Sequence, residues 1–165
     1  MEERIECFDP VAQSDARLLI LGTMPSVESL RQSFYYSHPR NAFWSLMASV
    51  LGEPLPQTIE EKKQMLVRHR IALWDVARSW VRPGSLDSDI REVVPNDFAM
   101  LFTRCPGIEK ILFNGATAQQ LFEKKVGLTP PGCVCQRMPS TSPAYTLSFD
   151  RKLAAWRGGM EGYYD

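Results

Sequence analysis

An α/β fold, a three-layer α/β/α sandwich around a four-stranded parallel sheet, is what this sequence predicts. Three observations carry that expectation. Short apolar runs of strand length end in glycine or a polar residue, as in LLILG at 18–22 and ILFN at 111–114. Stretches with helical periodicity and helix-start residues lie between them. The two kinds of segment alternate along the chain, an order that places helices on both faces of a parallel sheet. The 165 residues suit one domain, with a core spanning about 17–157.

The first strand is expected at 17–23, since its length and glycine stop suit a buried parallel strand. A helical turn follows at 27–32. A helix is expected over 41–51, where Phe43, Met47, Val50 and Leu51 recur at helical spacing before Gly52 stops it. Thr58 and Glu61 form a capping-box pair that opens a helix running to Arg68 or His69. The second strand is expected at 71–77, followed by a turn-rich loop at 82–89. Ser88 or Asp89 is read as the cap of a short segment ending before Pro95, and Asn96 as the cap of a helix over 97–104. Cys105-Pro106-Gly107 ends that helix. A third strand at 108–114, a helix at 116–125, a fourth strand at 133–138 and a last helix at 149–156 complete the order. The tail from Gly158 is expected to be loose.

Composition narrows the function classes. Hydrophobic residues are 44% and charged residues 23%, an ordinary globular balance. No apolar run reaches the length of a membrane span, and MEERIECFDP opens with acids rather than a signal sequence, so a cytoplasmic protein is expected. The 19 basic and 19 acidic residues cancel, which leaves only a local basic face for any nucleic acid. The cysteines, Cys7, Cys105, Cys133 and Cys135, contain no CxxC, and with His38 and His69 the only histidines no structural metal site is expected.

Loops at the carboxyl ends of parallel strands gather on one rim of the sheet. Those loops here begin at Gly22, Asp75, Asn114 and Met138. Gly22 allows backbone to approach a ligand and Pro25 fixes the turn, so exposed N–H groups there can hold a carbonyl oxygen or an anion. In the last loop, Pro139 and Pro143 bracket Ser140, Thr141 and Ser142. A stiff run of hydroxyls suits phosphate contacts. No G-x-S-x-G elbow and no adjacent base support a serine nucleophile.

LLILGTMPSVES at 18–29 and YYSHPRNAFW at 35–44, with LWDV at 73–76, GSLDS at 84–88, FNGA at 113–116 and PSTSPA at 139–144, resemble the uracil-DNA glycosylase superfamily. Within it they are most similar to the hypoxanthine-DNA (deoxyinosine) branch. The HPRN-x-FW block is also similar to the mismatch-specific uracil/thymine branch. The resemblance implies hydrolysis of the N-glycosidic bond of a deaminated base in DNA, with no metal and no cofactor. It implies that the first loop, the His-Pro-Arg-Asn segment and the last loop form the site. Where much of the superfamily carries Asp or Asn in the first loop, this chain has Met24, or Thr23. A thioether cannot polarise water.

On that reading Asn41 is the expected catalytic amide, able to donate to the departing base and accept from water, and Asn114 is the second candidate. Gly22, Thr23, Met24 and Pro25 are expected to border the base, with His38 a further donor. Tyr35, Tyr36 and Phe43 form a stacking wall, Tyr36 foremost, while Trp44 belongs to the core. Asp75 and Asp87 are the nearest carboxylates, each read first as a structural hydrogen-bonding group and second as a base for water. Ser26, Arg40, Ser140, Thr141 and Ser142 are expected to meet phosphates, and Tyr145 or Met138 to wedge into the gap left by the base. No lysine occupies a motif position for a Schiff base, so a monofunctional enzyme is expected; a monomer is expected as well. The rivals are excision of uracil or thymine at mismatches, a noncatalytic lesion-binding module suggested by Met24, and an unrelated nucleotide-binding domain suggested by the neutral charge.

Overall fold

The computed structural model describes residues 4–81 and 91–164. Its elements run β1 (Arg4–Glu6), β2 (Leu18–Gly22), α1 (Val27–Gln32), α2 (Phe43–Leu51), α3 (Ile59–Arg68), β3 (Ile71–Asp75), β4 (Ala77–Val81), β5 (Arg91–Pro95), α4 (Phe98–Arg104), β6 (Lys110–Asn114), α5 (Ala116–Lys125), β7 (Val134–Met138) and α6 (Phe149–Met160). Four strands form a parallel sheet in the order β3-β2-β6-β7. The central strand β2 is buried on both faces, with Leu18 to Leu21 fully enclosed. That is why it reads as an unbroken apolar run rather than an alternating one.

Adjacent residues of β6 reveal the layers, because successive strand side chains point to opposite faces. Phe113 packs on Phe122 of α5, which in turn meets Phe98 of α4. Leu112, on the other face, lies against Gly159 of α6. Phe43 of α2 then packs edge-on against Trp156 of α6. Helices thus cover both faces.

The sequence reading misses a second sheet. β1, β4 and β5 form an antiparallel ribbon in the order β1-β4-β5. The run expected as one strand at 71–77 breaks at Val76: β3 ends at Asp75, and the chain turns into β4. The segment before Pro95 is the edge strand β5, including Pro95 itself. Proline ends many segments, but it is also tolerated on an edge strand where its missing N–H costs nothing. Asn96 is buried and donates from Nδ2 to the Asp75 carbonyl at 2.7 Å, so it is not a cap. Asp97 caps α4 instead, accepting from the Met100 N–H.

Two helix limits also differ. α2 begins at Phe43 rather than at residue 41. α6 continues through Gly158 and Gly159 to Met160, and Tyr163 and Tyr164 pack against the core, so the tail is docked rather than loose. At Gly159 a side chain would lie 2.6 Å from Met138 Cε. Its absence lets the helix approach the sheet, and Lys110 Nζ donates to the Gly159 carbonyl at 2.7 Å. The Thr58 cap and its Glu61 partner form as expected, with Thr58 Oγ1 accepting from the Glu61 N–H at 3.0 Å and Glu61 accepting from the Gln57 N–H at 2.7 Å.

Candidate active site

Strand register brings Gly22 beside Asp75, and Asn114 beside Met138, along the carboxyl rim of the sheet. The loops that leave these positions enclose an open cleft of about 1060 Å³. Gly22, Thr23, Met24, Pro25 and Ser26 line one side, stitched to the end of β3 where the Val76 and Ala77 N–H groups donate to the Gly22 and Thr23 carbonyls. Ser140, Thr141, Ser142 and Tyr145 line the other, with Tyr36, Asn41 and Asn114 between them.

Thr141 ties three of these segments together. It is buried, its N–H donates to Asn114 Oδ1 at 2.9 Å, and its Oγ1 accepts from Asn114 Nδ2 at 3.0 Å. Its carbonyl accepts from the Ala42 N–H at 3.0 Å. The Thr141 hydroxyl therefore faces Asn114 rather than solvent. Its neighbours are arranged differently: Ser140 Oγ accepts from the Ser142 N–H, and Ser142 Oγ accepts from the Ala144 N–H. Each serine keeps its own hydroxyl hydrogen to give. Lys152, buried on α6, donates to the Ser142 carbonyl at 3.0 Å, and its ammonium lies 5.6 Å from the Tyr145 ring centre. Tyr145 itself is 49% exposed at the rim.

Asn41 precedes α2, and its Oδ1 accepts from the Phe43 N–H at 3.0 Å. This short turn holds the amide in place and leaves the Nδ2 hydrogens for the cleft. Tyr36 has a left-handed backbone with φ of 54°, and its ring stacks on Phe43 at 4.2 Å. Phe43 is fully buried behind that ring and is not among the residues lining the cleft. His38 and Arg40 also lie away from the lining. His38 Nδ1 accepts from the Arg40 N–H at 3.0 Å, so the histidine shapes the turn that delivers Asn41. Trp44 is buried, with its indole N–H donating to the Tyr35 carbonyl.

Asp75 lies on the floor. It is 2% exposed, its Oδ2 has no hydrogen-bond partner among the described residues, and burial raises its carboxyl from 3.8 to about 7. The Tyr36 hydroxyl is also buried; burial and the nearby Asp75 push it well above the ordinary phenol range, against a smaller opposing pull from the Asn114 side chain. Asp87, the other carboxylate read from the sequence, lies outside the described residues, as does the 84–88 motif. Some lining residues were not expected there from the sequence, Val93 and Arg137 among them. Val93 comes from the unforeseen strand β5. Arg137, near the end of β7, lines the cleft while donating to Gln119 Oε1 at 2.6 Å. Among the described residues no group of three His, Cys, Asp or Glu is placed to hold a metal ion, and no helix is long and apolar enough to cross a membrane.

The four-stranded parallel sheet has counterparts among known proteins. A model of the uracil DNA glycosylase superfamily matches residues 9–158, and the chain belongs to that superfamily. Among its relatives is a protein from Methanosarcina acetivorans named hypoxanthine DNA glycosylase, 38% identical over 150 residues, which are 90% of this chain and 93% of that one. A protein of the same name from Methanosarcina barkeri is 31% identical over 153 residues, covering 87% and 97% of the two chains. A solution NMR structure from Methanosarcina acetivorans, provisionally assigned as a uracil DNA glycosylase, superposes with a TM-score of 0.79 at 32% identity, over 94% of this chain and 96% of that one.

Proposed function

We propose that this protein is a monofunctional DNA glycosylase that hydrolyses the N-glycosidic bond of a deaminated base, hypoxanthine above all. The observation that supports it best is the convergence of Asn41, Tyr36 and Asp75 in one cleft, with the serines of the last loop and Tyr145 at its rim. A base cleaved from duplex DNA must first leave the stack, and the cleft offers an aromatic ring and a polar floor to receive it. Ser140, Ser142 and Arg137 meet the flanking phosphates, while Tyr145 fills the gap left behind. Asn41 donates from Nδ2 to an acceptor on the departing base, where charge grows in an oxocarbenium-like transition state. Asn114 keeps the loops in register through Thr141. The names of the two Methanosarcina relatives support hypoxanthine as the base.

Duplex oligonucleotides bearing deoxyinosine, deoxyuridine or a G·T mismatch, treated with the protein and then with alkali, test this reading. Strand breaks at inosine are expected. Breaks only at uracil or at the mismatch would transfer the activity to the rival base. One observation favours a lesion-binding module: Met24 lines the cleft and cannot activate water. Tight binding without breaks would establish that alternative.

A further inference from the structure

The floor of the cleft holds a carboxyl group that the mechanism above leaves idle. A carbon placed on Gly22 would lie 2.5 Å from Asp75 Oδ1 and 2.6 Å from the Tyr36 hydroxyl, so both polar heads converge where the rim has no side chain. Among the described residues Asp75 Oδ2 is buried with no hydrogen-bond partner, and the Tyr36 hydroxyl is buried nearby, close enough to the Asn114 side chain to interact with it. Among the described residues, the titratable groups that sense Asp75 are Cys7, Tyr35 and Tyr36, none of them a cation. Asn96, from the turn after β5, donates to the Asp75 carbonyl and not to its carboxyl. An ionised carboxylate here would be an unpaired charge out of water. Burial accordingly lifts the group to about 7, and the neutral acid is well populated.

A neutral carboxylic acid can do what no amide in the cleft can: give up a proton. A purine bonded through N9 keeps N7 as an in-plane acceptor. We propose that Asp75 is the general acid of the reaction, protonating N7 of the extruded purine as the bond from C1′ to N9 breaks. The electron pair of that bond stays with the ring, and the base departs as its neutral N7–H tautomer. Water adds its oxygen to C1′ and yields its proton to solvent, and Asp75 regains a proton from solvent for the next turnover. This step rests on the deaminated-purine reading given above.

The test is single-turnover cleavage of duplexes carrying deoxyinosine or 7-deaza-2′-deoxyinosine, by the wild type and by Asp75→Asn, from about pH 5.5 to about pH 9. Binding to a 2′-fluorinated, non-cleavable inosine duplex is measured alongside. The wild-type rate on inosine should fall ~10-fold per pH unit above neutrality, while Asp75→Asn should be flat and ~100-fold slower. The wild type should cleave the 7-deaza substrate as slowly as the variant cleaves inosine, and the variant should lose nothing further on it. Binding should change by less than ~3-fold, since the amide keeps the shape of the acid. Equal losses on both substrates, an unchanged pH profile, or binding that falls as far as rate would overturn the proposal. In the last case Asp75 only holds the base. Wild-type cleavage of inosine with no effect of the variant removes this step alone; no wild-type cleavage of either substrate removes the purine reading with it.

Discussion

At Gly22 the carboxyl of Asp75 and the hydroxyl of Tyr36 occupy the space that any side chain would need. Gly22→Ala should therefore cost about 1–3 kcal/mol, as overpacking does in a tight interior. Thermal unfolding would measure that cost, and an unchanged Tm would show that the floor yields more easily than its geometry indicates. Asn41 is the other position where one atom decides the outcome. Its carbonyl is held by the Phe43 N–H, so only its Nδ2 is aimed by the fold. Asn41→Ala should lower turnover by ~100-fold or more, the usual scale for losing a donor to a developing charge. Duplex affinity should hardly move; matched losses in rate and affinity would place Asn41 in binding instead.

The last loop behaves as an element because Thr141 anchors it. Both hydrogen bonds to Asn114 are buried, and the carbonyl reaches the Ala42 N–H at the entrance to α2. Thr141→Val keeps the shape but strands the Asn114 N–H, which should cost about 1–3 kcal/mol. Thr141→Ser should restore most of it in urea denaturation. If the valine variant is as stable as wild type, Asn114 has found another acceptor. The strands differ in how well their sequences announce them. LLILG at 18–22 is buried on both faces and announces itself; β5 is an exposed edge strand, REVVP, held by its pairing with β4. Without burial there is no apolar pattern to read.

Across the whole molecule, the buried carboxyl makes stability depend on pH. Asp75 is raised from 3.8 to about 7 on folding, so the folded state binds its proton more tightly than the unfolded chain. That contribution is complete below about pH 4 and is lost as pH rises through about 7. Asp75→Asn should therefore raise Tm at pH 8 by more than it does at pH 5. An equal shift at both would mean that the group is ionised throughout. The balanced charge of the chain, 19 basic against 19 acidic residues, leaves DNA affinity to local contacts at the rim. Affinity should still fall with salt, with a shallow slope that counts only those few phosphates. The sequence by itself determined the parallel sheet, its buried strands and the rim on which the loops meet, because burial and periodicity are local properties of the chain. It also marked Asn41, Tyr36 and the serine loop as parts of one site. Only the tertiary structure put Phe43, His38 and Arg40 outside the cleft, enclosed the Thr141 hydroxyl, added Val93 from a second sheet and left Asp75 without a counter-charge among the described residues. Those outcomes depend on what lies across the fold from each residue, and neighbours distant in sequence leave no periodic trace in it.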